Sequence, residues 1–342
     1  MTNSLETGVL RFLSEPAEEE FESLALSIFD FHRRENSVYA KYCESLGTPE
    51  RIDSWKQIPA IPQIAFKHSE IRSFRAQQTK VEFRTSGTTG KGYGRHFFPS
   101  LRLYGAAVQR GWDYFQLPRS QFILLMQSPD DAPFSSLSCM GGILADFDRE
   151  RFVITKNGGL ELGRFREMLA STRHAVTLFG TALAFLNLLE ADRDRSLALP
   201  PESIVVETGG FKGSGRDIAK RDLYDQLSLR LGISIDSIWN EYGMTELNSQ
   251  FYSHGVGRSH QAPPWMRFLI IDPETNEEIS PGRTGLLRIF DLANLWSALA
   301  IQTQDLATAQ TDGGFLLLGR DPGALPRGCS RAIDEFLQSS RG

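Results

Sequence analysis

Arg84-Thr85-Ser86-Gly87-Thr88-Thr89-Gly90-Lys91-Gly92-Tyr93-Gly94-Arg95 follows the strand-like Val81-Glu82-Phe83, and the reading of the whole chain turns on it. Its glycines let backbone N–H groups turn towards one anion. Its Ser and Thr hydroxyls donate further hydrogen bonds, and Lys91 and Arg95 balance charge, so the stretch has the chemistry of a phosphate cradle. Two common nucleotide loops do not fit: there is no Gly-x4-Gly-Lys-Ser/Thr spacing, and Gly90-Lys-Gly-Tyr-Gly does not match Gly-x-Gly-x-x-Gly. The plain alternative is a flexible Gly/Ser/Thr turn.

Outward from this loop the text alternates. Residues 121–127 (QFILLMQ), 174–180 (HAVTLFG), 203–210 (SIVVETGG) and 234–243 (SIDSIWNEYG) are short apolar runs ending in Gly or polar residues, separated by amphipathic stretches such as ELGRFREMLAST. That order predicts a largely parallel sheet covered on both faces. Farther on, WMRFLIIDPETNEEISPGRTGLLRIF reads as consecutive strands joined by turns, a smaller β-rich part at about 262–318. Towards the N-terminus, Phe21, Leu24, Ala25, Ile28 and Phe29 recur at helical spacing, predicting a helical cover. Pro59 and Pro62 break the stretch that follows, which reads as an extended connector without a regular element.

A second chemical motif, Asn240-Glu241-Tyr242-Gly243-Met244-Thr245-Glu246, comes directly after a predicted strand. An aromatic face suits a flat base, and a carboxylate suits a hard cation such as Mg²⁺. Taken together, Thr-Ser-Gly-Thr-Thr-Gly and Tyr-Gly-x-Thr-Glu resemble the phosphate loop and the next core motif of the adenylate-forming superfamily of acyl-CoA synthetases, luciferases and peptide-synthetase adenylation domains. The resemblance implies an α/β fold of the large-domain type, with layered α/β subdomains and a smaller β-rich one. It implies ATP contacts from Thr85, Ser86, Gly87, Thr88, Thr89 and Gly90. Tyr242 and Gly243 fall beside the base, Thr245 on the α-phosphate and Glu246 on magnesium. Gly209 and Gly210 match the place where backbone meets adenine, and Asp305, in a partial match to Thr-Gly-Asp, would hold the ribose.

Gly319-Arg320 resembles the superfamily's hinge, after which the larger relatives continue into a mobile C-terminal domain with a catalytic Lys. That domain is expected to be absent here, with 331–342 a tail. Charge building on an α-phosphate needs a preorganised cation; Arg95 and Arg320 lie inside motifs, and Lys91 and Lys212 are further candidates. The run Gly-Arg-x-x-Gly-Ala-x-x-Arg-Gly-Cys-Ser looks like the end of the LuxE acyl-protein synthetases, whose resemblance covers about 61–330 behind a helical cover over 1–60. It implies that Cys329 takes the acyl group from an adenylate as a thioester and passes it to a partner, an acyl reductase. Arg327 and Arg331 would lower the thiol below its usual value of about 8.5.

Composition sets bounds around this reading. The chain has 342 residues, 41% apolar and 23% charged, with 42 acidic and 37 basic residues and a net charge of -5. No basic stripe serves a nucleic-acid backbone. No run approaches the roughly 18 apolar residues of a spanning helix, so the expected place is the cytoplasm. Cys43, Cys139 and Cys329 form neither a disulfide framework nor a zinc spacing; the first two read as structural. His96 follows the phosphate loop and reads as a core residue or a phosphate contact, while His254 and His260 lack companions for a metal. Met126, Phe134, Met140 and Phe179 read either as acyl-groove lining or as ordinary core. Two competing functions remain: an acyl- or aryl-CoA ligase similar to phenylacetate-CoA ligase, and a non-catalytic nucleotide- or acyl-binding relative.

Overall fold

Helices α1 (Thr2–Ser14), α2 (Glu18–Glu35) and α3 (Ser37–Ser45) open the chain. Their ends are built by charge and capping. α2 carries Glu18, Glu19 and Glu20 in its first turn and Arg33 and Arg34 in its last, which complements the helix dipole at both ends. Asn36 caps α3, its side-chain oxygen accepting from Tyr39 N at 3.0 Å. The buried face of α2 presents Phe21, Ala25, Ile28 and Phe29. Its His32 donates from Nε2 to Leu295 O (2.8 Å) and accepts at Nδ1 from Leu299 N (3.4 Å); burial pushes its pKa down to about 4, so the ring is a neutral strut.

The computed structural model describes residues 2–85, 92–192, 197–209 and 218–320. Two units make up the chain. The first comprises the residues up to Gly111, Met244–Ser249 and the chain from Ser259 onward; the second comprises Trp112–Gly243 and Gln250–Arg258. In the first unit, β1 (Ile61–Pro62) and the short α4 (Ala65–His68) lead to a hairpin of β2 (Val81–Arg84) and β3 (Arg95–Phe98), paired from Val81↔Phe98 to Arg84↔Arg95. Helix α5 (Arg102–Tyr114) then runs into the second unit.

That unit alternates β4 (Gln121–Gln127), α6 (Ser136–Leu144), β5 (Phe152–Ile154), α7 (Leu162–Ser171), β6 (Val176–Thr181), α8 (Ala182–Ala191), β7 (Ile204–Thr208), α9 (Lys220–Leu231), β8 (Ile238–Tyr242) and β9 (Phe251–His254). The sheet order is β5-β4-β6-β7-β8-β9, parallel throughout except for β9. Every residue of β7 is buried, which is why its sequence runs apolar rather than alternating. On one face Val205 and Ile238 join Leu223, Tyr224, Leu227 and Leu231 of α9 in a single core. Met126, Met140 and Phe179 are buried in this unit, whereas Phe134 is exposed.

The first unit resumes with β10 (Met266–Ile271), β11 (Thr284–Asp291), β12 (Ala300–Ala309) and β13 (Phe315–Arg320), an antiparallel series. The proline-broken stretch does contain regular structure, contrary to expectation. Ile61 and Pro62 pair in parallel with Ile301 and Gln302, and Gln63 N donates to Gln302 O at 2.9 Å. β12 keeps β11 on one edge and shares the other between β1 and β13, so Pro62 sits where no further strand needs its missing N–H. Cys43 and Cys139 are both buried, and burial pushes their thiols up to about 11 and about 12, consistent with structural roles. Among the described residues no helix is long and apolar enough to cross a membrane.

Candidate active site

In the first unit the two motifs meet. Thr85 and Gly94 extend the β2–β3 pairing by one step: Thr85 N donates to Gly94 O (2.9 Å) and Gly94 N to Thr85 Oγ1 (2.8 Å). A Cβ at Gly94 would be crowded, meeting Thr85 Cγ2 at 3.1 Å and coming to 3.4 Å from Glu246 Oε1. Thr85, Gly94 and the 2%-exposed Glu246 therefore form one cluster. His96, next on β3, donates from Nδ1 to Thr245 O (2.8 Å) and packs on Phe98 (4.1 Å between ring centroids). Burial lowers its pKa to about 4, so it is a neutral core imidazole that docks the Thr245 backbone on the hairpin.

A buried polar network holds Glu246 from behind. Asn294 Nδ2 donates to Glu246 O (2.9 Å) and Ala298 O (2.8 Å). Asp291 accepts from Asn248 N (3.0 Å), Ser249 N (2.9 Å), Ser249 Oγ (2.8 Å) and Ala293 N (3.0 Å), and Trp265 Nε1 donates to Ser249 Oγ at 3.0 Å. Four donors on one carboxylate fix the segment that carries Glu246. Burial still pushes the Asp291 carboxyl up to about 6 against the pull of those bonds. None of these partners was visible beforehand, because Asp291 and Asn294 lie far from the motif in sequence.

Arg95 is committed to Glu70 (3.1 Å), which Arg72 also engages, and both guanidinium groups stack over Phe97 at 5.1 and 5.3 Å. Glu70 and Arg72 come just after the supposed connector and had no motif to reveal them. Asp305 on β12 and Arg320 on β13 are cross-strand partners, with Arg320 Nε 3.5 Å from Asp305 Oδ1 and its Nη2 donating to Gln63 Oε1. The expected ribose-binding carboxylate and hinge arginine thus form one ion pair, beside Gly319 at φ 129°.

In the second unit the carboxyl ends of β7 and β8 carry the other expectations. Gly209, at φ 71°, follows β7 in a conformation that favours glycine. Tyr242 is buried, its ring centroid 6.0 Å from that of Phe251. Gly243 is required by Glu241, whose Oε1 would lie 2.4 Å from a Cβ. Glu241 in turn accepts from the Thr208 hydroxyl, and burial raises its carboxyl to about 7, with Thr208 opposing the shift and Glu207 adding to it. On the opposite face Glu207, Asn240, Tyr224 and Lys220 form a second network; sequence reading gave none of them a role. Ser86, Gly87, Thr88, Thr89, Gly90, Lys91, Gly210, Lys212 and Cys329 lie outside the described residues.

The donors in the first unit fit a phosphate and a magnesium ion. The space beside Gly94 is bordered by Thr85 Oγ1 and Glu246 Oε1, and one or two carboxylates are the usual protein contribution to Mg²⁺ alongside phosphate oxygens. Among the described residues no group of three or more His, Cys, Asp or Glu is placed to hold a metal by itself.

Comparison with known proteins agrees on the family. The family model described as acyl-protein synthetase, LuxE, matches residues 5–337. The long-chain-fatty-acid–luciferin-component ligase of Vibrio harveyi is 22% identical over 307 residues, covering 85% of this chain and 79% of that protein. ATP-bound MatB from Rhodopseudomonas palustris superposes with a TM-score of 0.52 at 17% identity, over 72% of this chain and 49% of its own. The luciferase-like enzyme of the mealworm Zophobas morio gives a TM-score of 0.50 at 16% identity, over 77% and 62%. The chain thus spans about half the length of the MatB structure it matches, and these likenesses show the fold of adenylate-forming enzymes. With a matching model over nearly its whole length, the chain belongs to the LuxE acyl-protein synthetase family and is a ligase.

Proposed function

We propose that this ligase activates a fatty or related carboxylic acid with ATP: the carboxylate attacks the α-phosphorus, pyrophosphate leaves, and the acyl group then passes to the Cys329 thiolate with release of AMP. The observation that carries the reading is the cluster of Thr85, Gly94 and Glu246, where two motifs distant in sequence come within contact distance of each other. In this reading the loop 85–90 binds phosphate oxygens, Thr245 contacts the α-phosphate, and Glu246 holds Mg²⁺. When bound, the metal supplies charge neutralisation for the phosphates. Gly209, Gly210, Tyr242 and Gly243 line the base, Asp305 takes the ribose, and Arg95 and Arg320 answer developing negative charge. An acyl reductase or similar protein receives the thioester. A reaction that consumes ATP and needs a free thiol belongs in the cytoplasm, which keeps cysteines reduced.

The test uses a labelled acid. Wild-type chain catalyses acid-dependent ATP–pyrophosphate exchange and retains label through denaturation in a hydroxylamine-sensitive bond. Cys329→Ala keeps the exchange and loses the label. Label retained by Cys329→Ala removes that cysteine from the scheme, and wild-type exchange with no acid in a panel of chain lengths and aryl acids removes the adenylation.

A further inference from the structure

Lys220 begins α9, where a cation works against helix stability because the free N–H groups make that end electropositive. Ala219 precedes it without a side-chain cap, and Arg221 adds a second positive charge in the same turn, which Asp222 offsets only in part. The ammonium nevertheless has a built seat. Nζ donates to Asn240 Oδ1 at 2.8 Å, Asn240 Nδ2 donates to Glu207 Oε2 (2.7 Å) and Glu207 O (3.0 Å), and Tyr224 OH donates to Glu207 Oε2 at 3.2 Å. Glu207, Asn240 and Tyr224 are buried at 1%, 4% and 0% exposure, whereas Lys220 is exposed. Three desolvated polar groups are thus lined up behind one part-buried ammonium, whose own side-chain stem reaches solvent. Such an arrangement is costly to bury, and locally unfavourable choices of this kind concentrate at functional sites.

The position points the same way. Glu207, next to last in β7, and Asn240, the middle residue of β8, are register partners on neighbouring parallel strands, close to the carboxyl edge of the sheet. Ligands of open α/β sheets bind outside that edge. Gly209 follows β7 two residues after Glu207, and Tyr242-Gly243 follows Asn240 at the same interval. We infer that the Lys220 ammonium, seated by Asn240 and Glu207, is a substrate-binding cation that holds an anionic oxygen, from either the acid's carboxylate or the nucleotide's phosphates. The inference rests on the ATP-dependent reading above and adds to it a residue that no motif singled out.

Full-length wild type, Lys220→Met and Lys220→Arg are compared in acid-dependent ATP–pyrophosphate exchange, thermal unfolding, and equilibrium binding of ATP and of the acid. Lys220→Met is expected to lose exchange by about 10²-fold, in the range of a lost preorganised donor, with an unchanged melting point. Lys220→Arg recovers at least about tenfold of that loss, since the charge returns in a different shape. A weaker KM for the acid assigns the oxygen to its carboxylate, and a weaker KM for ATP to phosphate. Exchange by Lys220→Met close to wild type overturns the inference, as does a loss that comes with a lowered melting point and that arginine does not recover. Wild type that exchanges with no acid sinks the parent reading alone. Lys220 is then decided by binding, and equal affinity of wild type and Lys220→Met for both anions overturns it.

Discussion

Asp291 in the first unit and Glu207 in the second are equally hidden from water, at 0% and 1% exposure, yet their surroundings differ in kind. Asp291 receives three backbone N–H groups and one hydroxyl, all within its own cage, and the network ends there. Glu207 receives one amide and one phenol, and through Asn240 the network continues to the exposed Lys220. A carboxylate saturated by main-chain donors is scaffold: it fixes where Glu246 stands. One that hands its hydrogen bonds outward to an ammonium fixes a charge at the surface. Glu241 lies between the extremes, with the Thr208 hydroxyl as its donor and the Gly243 position left open for its oxygen.

The strongest way to break this contrast is Asp291→Ala. It strands four buried donors, so we expect a loss of about 3–5 kcal/mol, read as a lowered urea midpoint with an unchanged slope, and loss of activity only alongside loss of fold. Retained stability would mean that Asp291 is not the scaffold of the Glu246 segment. Next comes Glu241→Gln. Because burial raises the folded-state value to about 7, the neutral carboxyl is favoured by folding. Its contribution is complete below the ordinary carboxylate range and is lost as pH rises towards 7. Gln keeps the shape without the proton, so the variant should gain on wild type by on the order of 3 kcal/mol at pH 8 and almost nothing at pH 4. Denaturation curves at the two pH values that run parallel would remove Glu241 from the buried titrating groups. The smallest effect is expected from Glu278→Gln, which breaks the ion pair to Lys56 where both side chains are about half exposed (2.6 Å). That change should cost less than about 0.5 kcal/mol and vanish in high salt, setting the baseline against which buried carboxylates are judged.

Local pattern made much of the fold legible. QFILLMQ is β4 residue for residue, and the Gly-bounded runs near 176, 204 and 238 are the next three parallel strands. These segments announce themselves because burial on both faces favours short apolar runs, unbroken in β4 and ending in polar residues in β7 and β8. The proline stretch misled because the loss of an N–H matters only where a neighbour requires it, and the free edge beyond Ile61–Pro62 does not. At the candidate site, Thr85 and Glu246 were readable as motif members, but their meeting at Gly94 was not. The residues that hold them, His96, Asp291 and Asn294, act through partners far away in sequence, and no periodicity records such a partnership. Asn240 and Glu241 were quoted within a motif, yet their roles depend on register with β7, which only the paired strands reveal.

The first unit is discontinuous, and this bears on how the protein is made. On the ribosome, the opening helices, β1 and the β2–β3 hairpin emerge while the strands they join are still unwritten; Ile61 waits for Ile301. The parallel strands of the second unit follow one another along the chain and gain their neighbours as they appear. Vectorial synthesis therefore favours an inner piece that matures first and an outer piece that closes last, after a long loop has been paid for in entropy. During that interval Phe31 lacks Trp296 and Ile61 lacks Ile301, so nascent chains stalled before Trp296 and Ile301 are the species most in need of a chaperone.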